Sequence, residues 1–203
     1  MALAAILMPL LFSCSGGGSS AGMLGQLPDK YAQFTEEKAE LKKEAQNIKT
    51  EADKKRFLEK SEKLNKKWKE KLEATAKDLN GKPIEFAESQ FEVTIPVSLE
   101  FEEFSSESAL TPKFKVNGEA KAASDITTDQ KYYYSTENVY ITGYDAEGKQ
   151  VYKARVGSVE VQDADGKLLV KAGTPVKFDK LGFGKADVEG SKLAKSYKLE
   201  MVR

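Results

Sequence analysis

Hydrophobic side chains in the first half of the chain recur at steps of three and four residues. Residues 29–79 contain neither glycine nor proline, and Asn80-Gly81 and Pro83 follow directly. Such steps place side chains on one helix face, and glycine with proline ends helices. We therefore predict a charged, amphipathic helical segment at 29–80. Its apolar positions form two stripes, the first Tyr31, Phe34, Leu41, Ala45, Ile48 and Ala52, the second Phe57, Ser61, Leu64, Trp68, Leu72, Ala76 and Leu79.

The two stripes are out of register near residues 50–56. This offset fits either one long helix whose apolar face drifts or the corner of a helical hairpin. Thr50 and Asp53 have the spacing of a helix cap, but no glycine or proline marks a turn. The missing turn residue favours one long or gently bent helix. Lys38 and Lys55 lie at seam positions, which argues against a coiled coil.

Beyond residue 84 the apolar positions alternate with polar ones. The stretch from Phe91 to Phe101 has this pattern, which is typical of a strand with one buried face. Pro96 lacks a backbone donor and indicates an edge strand or a bulge. Further strands are predicted at 113–116, 138–144, 150–156, 159–162, 168–171, 175–178 and 196–202, with turns at Asn117-Gly118, 145–148 and 163–166.

Many short strands with no helix predicted between them favour an antiparallel β-sandwich at 81–203, of immunoglobulin-like or fibronectin-like type. The cysteine–tryptophan–cysteine pattern of true immunoglobulin domains is absent, so the prediction concerns architecture alone. The fold class expected for the whole chain is α+β, with the long helix or hairpin preceding the sandwich.

The N-terminus combines an apolar run with the chain's only cysteine. Residues 2–12 have the length of a signal-peptide core and are too short to span a bilayer. Leu11-Phe12-Ser13-Cys14 follows, and a serine and glycine tract comes after it. This segment resembles the lipobox of bacterial lipoproteins. The resemblance implies a signal peptide at 1–13, a lipid on Cys14 and a flexible tether at 14–28.

The layout of anchor, tether, helical segment and sandwich is similar to that of uncharacterised lipoproteins of Bacteroidota. That resemblance implies a cell-envelope protein attached to the membrane through its lipid, in the outer membrane. Residues 15–18 lack the acidic export signal that some of these lipoproteins carry after the cysteine. Its absence favours the periplasmic side over the cell surface.

The residue types present exclude most catalytic mechanisms. The chain has 203 residues, 32 basic and 32 acidic side chains, one cysteine and no histidine. Without histidine there is no Ser-His-Asp triad, no Cys-His pair and no histidine metal ligand. No glycine-rich phosphate loop is present, and the balanced charge gives no reason to expect nucleic acid. We expect a protein that is not an enzyme and uses no cofactor or metal.

Acidic clusters offer the remaining routes to chemistry, and both have simpler interpretations. Residues 85–107 contain many glutamates, and a glycosidase needs only two carboxylates, but these lie mainly on the water-facing side of a predicted strand. Asp163 and Asp165 open a segment like a calcium loop that lacks the later ligands. We interpret that segment, and the similar one at 145–148, as hairpin turns.

Tyrosines form the one candidate ligand surface. Exposed rings on a sheet stack on sugars, and tyrosine is enriched in binding interfaces. The structural alternative makes Tyr140 and Tyr152 cross-strand partners that cover a sheet. The candidate ligand-binding residues are Tyr132, Tyr133, Tyr134 and Tyr140, with Tyr144 and Tyr152 nearby.

Two functional hypotheses follow. The first is a non-catalytic, lipid-anchored envelope protein that binds or positions another envelope component. The alternative is a surface-exposed glycan- or host-binding lipoprotein that uses the tyrosine-rich sheet face. A carboxylate-based enzyme is the third and weakest reading of the sequence.

Overall fold

The computed structural model describes residues 22–128, 135–164, 167–182 and 185–201. The fold is α+β, as the sequence predicts. Its elements in chain order are α1 (Leu27–Ala45), α2 (Glu51–Lys77), β1 (Phe91–Phe104), β2 (Pro112–Ala122), β3 (Ile126–Thr128), β4 (Thr136–Tyr144), β5 (Gln150–Glu160), β6 (Gln162–Ala164), β7 (Lys167–Val170), β8 (Val176–Phe178), β9 (Lys180–Gly182), α3 (Lys185–Leu193) and β10 (Ser196–Glu200).

The helical segment is a hairpin of two helices, so the single long helix favoured from the sequence is wrong. The Thr50 hydroxyl accepts a hydrogen bond from the Asp53 backbone amide at 3.1 Å. The Asp53 carboxylate accepts one from the Thr50 backbone amide, also at 3.1 Å. This reciprocal capping box gives partners to amides that the first turn of a helix leaves unpaired. A polar cap thus starts the second helix without any glycine or proline at the corner.

The base of the hairpin packs on the β-rich body. From α1 the side chains of Tyr31 and Phe34 are buried, and from α2 those of Trp68 and Leu72. The rings of Phe34 and Trp68 lie 6.2 Å apart, so the two apolar stripes meet here. The segment before α1 is also packed, since Leu24 is only 1% exposed. The part of the predicted tether that the structure describes therefore belongs to the folded body.

Strands β1 and β2 form the longest antiparallel pair, which contains a bulge where the sequence predicts a turn. Ile95 pairs with Glu119 and Ser98 with Asn117, so two residues of β1 oppose the single Gly118. Gly118 has a φ of 131°, and a Cβ there would lie 2.9 Å from the carbonyl oxygen of Pro96. Asn117-Gly118 is therefore inside a strand, and the turn prediction is wrong. β1 is an edge strand and bulges at the proline, as predicted.

The remaining strands complete three antiparallel sheets. Their orders are β1-β2-β9, β10-β4-β5-β8 and β3-β7-β6. The predicted turn at 145–148 is confirmed, because Asp145 Oδ1 accepts from the backbone amides of Glu147 and Lys149. The predicted strands at 150–156 and 159–162 differ from the structure, in which β5 runs without a break to Glu160. The turn predicted at 163–166 stays a prediction, because residues 165 and 166 lie outside the described residues.

Helix α3 contradicts the prediction that no helix lies among the strands. It packs against β5, where the backbone of Gly190 lies so close to Val151 that a Cβ would be 1.9 Å from the Val151 carbonyl oxygen. Lys192 of this helix also bonds the Asp29 carboxylate of α1 at 2.6 Å. Apolar residues of helices and strands form one cluster, whose largest buried members include Trp68 and Phe114. A single core thus joins the hairpin base to the sheets.

Candidate functional site

Several residues singled out by the sequence lie outside the part of the chain that the structure describes. These are Cys14 with its signal segment, and Tyr132, Tyr133 and Tyr134. Tyr140 is the predicted ligand-binding residue that the structure does describe. Two described surfaces offer candidate binding sites: the outer face of the four-stranded sheet, which carries Tyr140, and the helical hairpin.

Tyr140 and Tyr144 lie on the outer face of the four-stranded sheet. The Lys153 ammonium lies 4.4 Å from the centre of the Tyr140 ring, and the Lys198 ammonium lies 5.3 Å from that of Tyr144. Each ring thus has a cation over its face, an arrangement that stabilises both groups. The two tyrosines are brought together by strand periodicity, because residues four apart share one face of a strand.

Tyr152 points to the opposite side of the same sheet. It is 3% exposed and packs edge-on against Tyr197, with ring centres 6.3 Å apart. Across the strands it pairs with Gly143, whereas Tyr140 pairs with Arg155. The predicted cross-strand pair of Tyr140 and Tyr152 is therefore wrong. A register shift between Gly143 and Tyr144, which leaves Val151 of β5 out of the pairing, turns Tyr152 to the other face from Tyr140.

Thr142 lies between the two outer tyrosines along β4, and Glu200 of β10 bonds both Thr142 and Tyr144. The hydroxyls of Thr142 and Tyr144 both donate to the Glu200 carboxylate. The bond to Glu200 raises the pKa of Tyr144, because losing the phenol proton would place a negative oxygen beside the carboxylate. Thr142 is fully buried on this face beneath its neighbours. The face offers ring edges, two ammonium groups and a carboxylate, which suit a polar ligand bound by stacking and hydrogen bonds.

Several acidic residues of β1 are paired with lysines of the same three-stranded sheet. Glu92 contacts Lys121 at 3.3 Å. Glu102 contacts Lys180 at 2.8 Å, and this bond raises the pKa of the lysine. These are cross-strand ion pairs of the kind that stabilise sheet edges. In the described parts of the chain, no group of three or more acidic or thiol side chains is arranged to hold a metal.

The hairpin presents a second surface, which the sequence indicated only in part. Leu41 of α1 and Leu64 of α2 line one groove between the two helices. Further toward the corner, Ile48 and Phe57 line a continuation of the same groove. Each of the four side chains is only half-buried. The apolar seam is therefore open to solvent along this side.

Ion pairs between the helices border the groove. Lys67 donates to Glu37 at 2.8 Å, and Lys60 contacts Glu44 across the seam. The indole of Trp68 also donates to Glu37 at 2.9 Å. Hydrogen bonds from Lys67 and then from Trp68 hold the pKa of Glu37 below its usual value. Sequence analysis missed these pairs, although their seven-residue spacing on each helix was available as a signal.

The edges of the groove carry opposite charge. Its α1 edge contains the acidic residues Glu36, Glu37, Glu40 and Glu44. Its α2 edge contains the basic residues Arg56 and Lys60, with Lys67 beside them, and the acidic Asp53 only at the corner. Lys38, a predicted seam residue, is turned to the other side, where its ammonium bonds the Ser108 carbonyl of the body. Burial at that contact lowers the pKa of Lys38. The charged groove face therefore lies away from this body contact.

A cavity of about 390 Å³ lies where the described chain begins. Its lining includes Met23, Ile84 and Phe86. The Tyr197 hydroxyl closes one side by accepting a hydrogen bond from the Met23 amide at 3.0 Å. Burial raises the pKa of Tyr197.

Comparisons of this chain with protein-family models, with curated proteins and with solved structures find no match. Among the described residues, no helix has the length and apolar character needed to cross a membrane.

Proposed function

We propose that this chain is a non-catalytic, lipid-anchored protein of the bacterial envelope, attached through Cys14, that binds or positions another envelope component through its helical hairpin. The apolar run at 2–12, the lone cysteine and the serine and glycine tract support the anchor. By resemblance to Bacteroidota lipoproteins, the location is the outer membrane on its periplasmic side. The hairpin supplies the binding element.

The outer part of the hairpin carries this proposal. Across residues 35–67, all of which are described, no side chain is buried. Helices are stabilised mainly by burying an apolar face, so a helix pair whose apolar face is only half-buried here adds little to the stability of the body. An exposed groove with apolar side chains and charged edges is, by contrast, a common surface for binding another helix. The groove is thus better suited to recognition than to support of the fold.

The absence of catalysis is proposed from residue chemistry. The chain has no histidine, its only thiol is assigned to lipid, and Glu92 and Glu102 are engaged by lysines. The finer architecture, a sandwich of immunoglobulin-like or fibronectin-like type, is also proposed. It is supported by residues 176–182, which pair with β5 as β8 and with β2 as β9. Strands that pass from one sheet to another are typical of sandwiches.

Membrane fractionation tests the anchor. Wild-type protein is expected in the membrane fraction, and Cys14→Ala is expected to be released because a lipid chain supplies the membrane affinity. Recovery of Cys14→Ala in membranes as fully as wild type would contradict the anchor.

Photo-crosslinking in living cells tests the hairpin. A photoreactive amino acid at Leu41 is expected to give a discrete adduct with an envelope component. The control places the same group at Glu147, in the exposed turn between β4 and β5. If the Leu41 position captures nothing beyond what Glu147 captures, the hairpin is not the binding element.

Glycan binding by the outer sheet face is the second candidate, because Tyr140 and Tyr144 share that face beside Glu200. Tyr140→Ala with Tyr144→Ala is expected to abolish retention of wild-type ligands on a glycan array. Tyr144→Phe keeps the ring and loses only the bond to Glu200, so it should retain more binding than the alanine variant. A wild-type protein that retains no glycan would count against this candidate.

A further inference from the structure

The groove of the hairpin has a charge arrangement that is complementary to itself. Its α1 edge is acidic and its α2 edge is basic, with Leu41 and Leu64 between them. A surface of this kind has a natural partner in a second copy of the same surface, provided that each acidic edge meets a basic edge. From this arrangement, and resting on the proposed function, we infer that the hairpin binds a second copy of this chain to form a four-helix bundle.

The direction of pairing follows from symmetry. Two identical surfaces pair about a two-fold axis that lies in their interface. An axis across the hairpin would lay α1 upon α1 and place Glu40 and Glu44 against the same residues of the other copy. An axis along the hairpin lays each α1 upon the other copy's α2. Glu44, which already pairs with Lys60 of its own copy, then also faces Arg56 and Lys60 of the other copy. Like charges repel, and the second arrangement is therefore selected.

The selected arrangement also suits proteins anchored in one membrane. An axis along the hairpin keeps both corners at one end of the bundle and both bodies at the other. Two copies held by Cys14 in the same lipid layer have this common orientation. The reverse pairing would point the two bodies in opposite directions and place the first described residues of the two copies at opposite ends of the bundle.

Closing the groove provides the driving force. The side chains of Leu41, Ile48, Phe57 and Leu64 are half-buried in the hairpin, and a second hairpin covers the side that remains open. Burial of apolar area favours association at about 25 cal/mol per Å² before the cost of ordering. In a four-helix bundle the helices cover the shared apolar side chains on all sides, whereas a pair of helices leaves one side of them exposed to solvent.

Co-purification of two differently tagged full-length copies from detergent-solubilised membranes tests this inference. Wild-type copies are expected to co-purify, and less so in high salt, because exposed charges line the edges. Glu40→Lys with Glu44→Lys makes both edges basic, and Arg56→Glu with Lys60→Glu makes both edges acidic. Each variant alone is expected to lose self-pairing.

Mixing the two variants tests whether opposite edge charges restore pairing. A copy with two basic edges faces a copy with two acidic edges, so the mixed pair is expected to regain co-purification at near the wild-type level. This recovery cannot arise if either variant is unfolded. The control reverses the exposed Lys55 and Lys66, and is expected to leave pairing unchanged. Helix periodicity puts both on the opposite side of α2 from Phe57 and Leu64, so the seam position predicted for Lys55 is wrong.

Three outcomes would overturn the inference. Wild-type copies that do not co-purify would do so, as would pairing that is insensitive to the edge reversals. Failure of the mixed variants to pair, when each is folded by circular dichroism, would also overturn it. A heterologous envelope protein crosslinked at Leu41 in the absence of self-pairing would leave the proposed function standing and remove only the second copy as its partner.

Discussion

The inner and outer parts of the hairpin have the same amphipathic pattern and opposite surroundings. At the base, Phe34 and Trp68 are 1% and 2% exposed, because the body covers them. Seven residues further along α1 the equivalent position is Leu41, which is only half-buried against its partner helix. One periodic pattern thus supports a core at one end and an open groove at the other.

This difference shows what periodicity does and does not determine. The recurrence of apolar residues sets which face of a helix avoids water. The surface that covers that face comes from other parts of the chain, or from another molecule. The base is covered by the body, as the hydrogen bond between the hydroxyls of Tyr31 and Thr111 illustrates. In the outer part Lys38 bonds the Ser108 carbonyl of the body, but no side chain of residues 35–67 is buried.

The largest expected effect contrasts the two parts directly. Trp68→Ala removes a buried side chain and is expected to lower the free energy of unfolding by about 3–5 kcal/mol. Leu58→Ala, at an outer position that is 51% exposed, should change it by less than about 0.5 kcal/mol. Urea denaturation followed by circular dichroism measures both. Equal losses would contradict the division of the hairpin into a packed base and an open end.

The close packing of the body gives the next effect. A Cβ on Gly190 would lie 1.9 Å from the Val151 carbonyl oxygen, so α3 or β5 must move to accept it. Gly190→Ala is expected to cost about 1–3 kcal/mol, as overpacking does elsewhere. Gly182→Ala is the control, because no atom lies within 4 Å of its Cβ position. Thermal denaturation should separate the two variants, and a Gly190→Ala protein as stable as Gly182→Ala would refute the contact.

The corner of the hairpin gives a smaller and more local effect. Thr50→Ala removes the hydroxyl that accepts from the Asp53 amide, a change of about 1 kcal/mol for a helix cap. Because the outer hairpin is not part of the core, we expect faster hydrogen exchange in the first turns of α2 and little change in global unfolding. Exchange measured by mass spectrometry checks this. A large drop in the global melting temperature would show that the corner and the core unfold together.

The sequence predicts local structure well where one pattern dominates. Alternation from Phe91 to Phe101 predicts β1. Pro96 predicts the bulge and the edge position of this strand, because a residue without a backbone donor is confined to such places. The hairpin corner is missed because a Thr50 and Asp53 capping box performs a task usually signalled by glycine. Asn117-Gly118 misleads in the opposite way. Gly118 lies opposite the bulge of β1, and no local pattern reveals this contact between strands.

The candidate surfaces are predictable to different degrees. Alternation correctly places Tyr140 and Tyr144 on one face, but the register shift between Gly143 and Tyr144 makes the pairing of Tyr152 unpredictable from spacing. The groove of the hairpin can be predicted only once the position of the corner near Thr50 is known. Once the two helices are known to be antiparallel, heptad spacing predicts that Glu37 lies opposite Lys67. Contacts with Glu200, nearly sixty residues away in the chain, depend on sheet order and could not be predicted.

The smallest expected effect concerns the border between the two parts, where Glu37 bonds both Lys67 and Trp68. The Glu37 side chain is 43% exposed, so solvent screens this pair and Glu37→Gln should cost only about 0.2–1 kcal/mol at neutral pH. Since folding lowers the pKa of Glu37, its contribution is present above the unfolded value and is lost as pH falls through the folded value. The stabilities of wild type and Glu37→Gln should therefore converge in acid.

Fluorescence of Trp68, the only tryptophan, reports this contact during urea unfolding at a series of pH values. Unfolding curves that differ equally at neutral and acidic pH would mean that Glu37 acts through packing and not through its charge. Convergence in acid, with the fluorescence of the folded state preserved, would place the ionised carboxylate at the point where the packed base ends. Because Lys60 and Glu44 form the next such pair outward, the same titration on Glu44→Gln should give a smaller difference, as expected for a pair with no indole beside it.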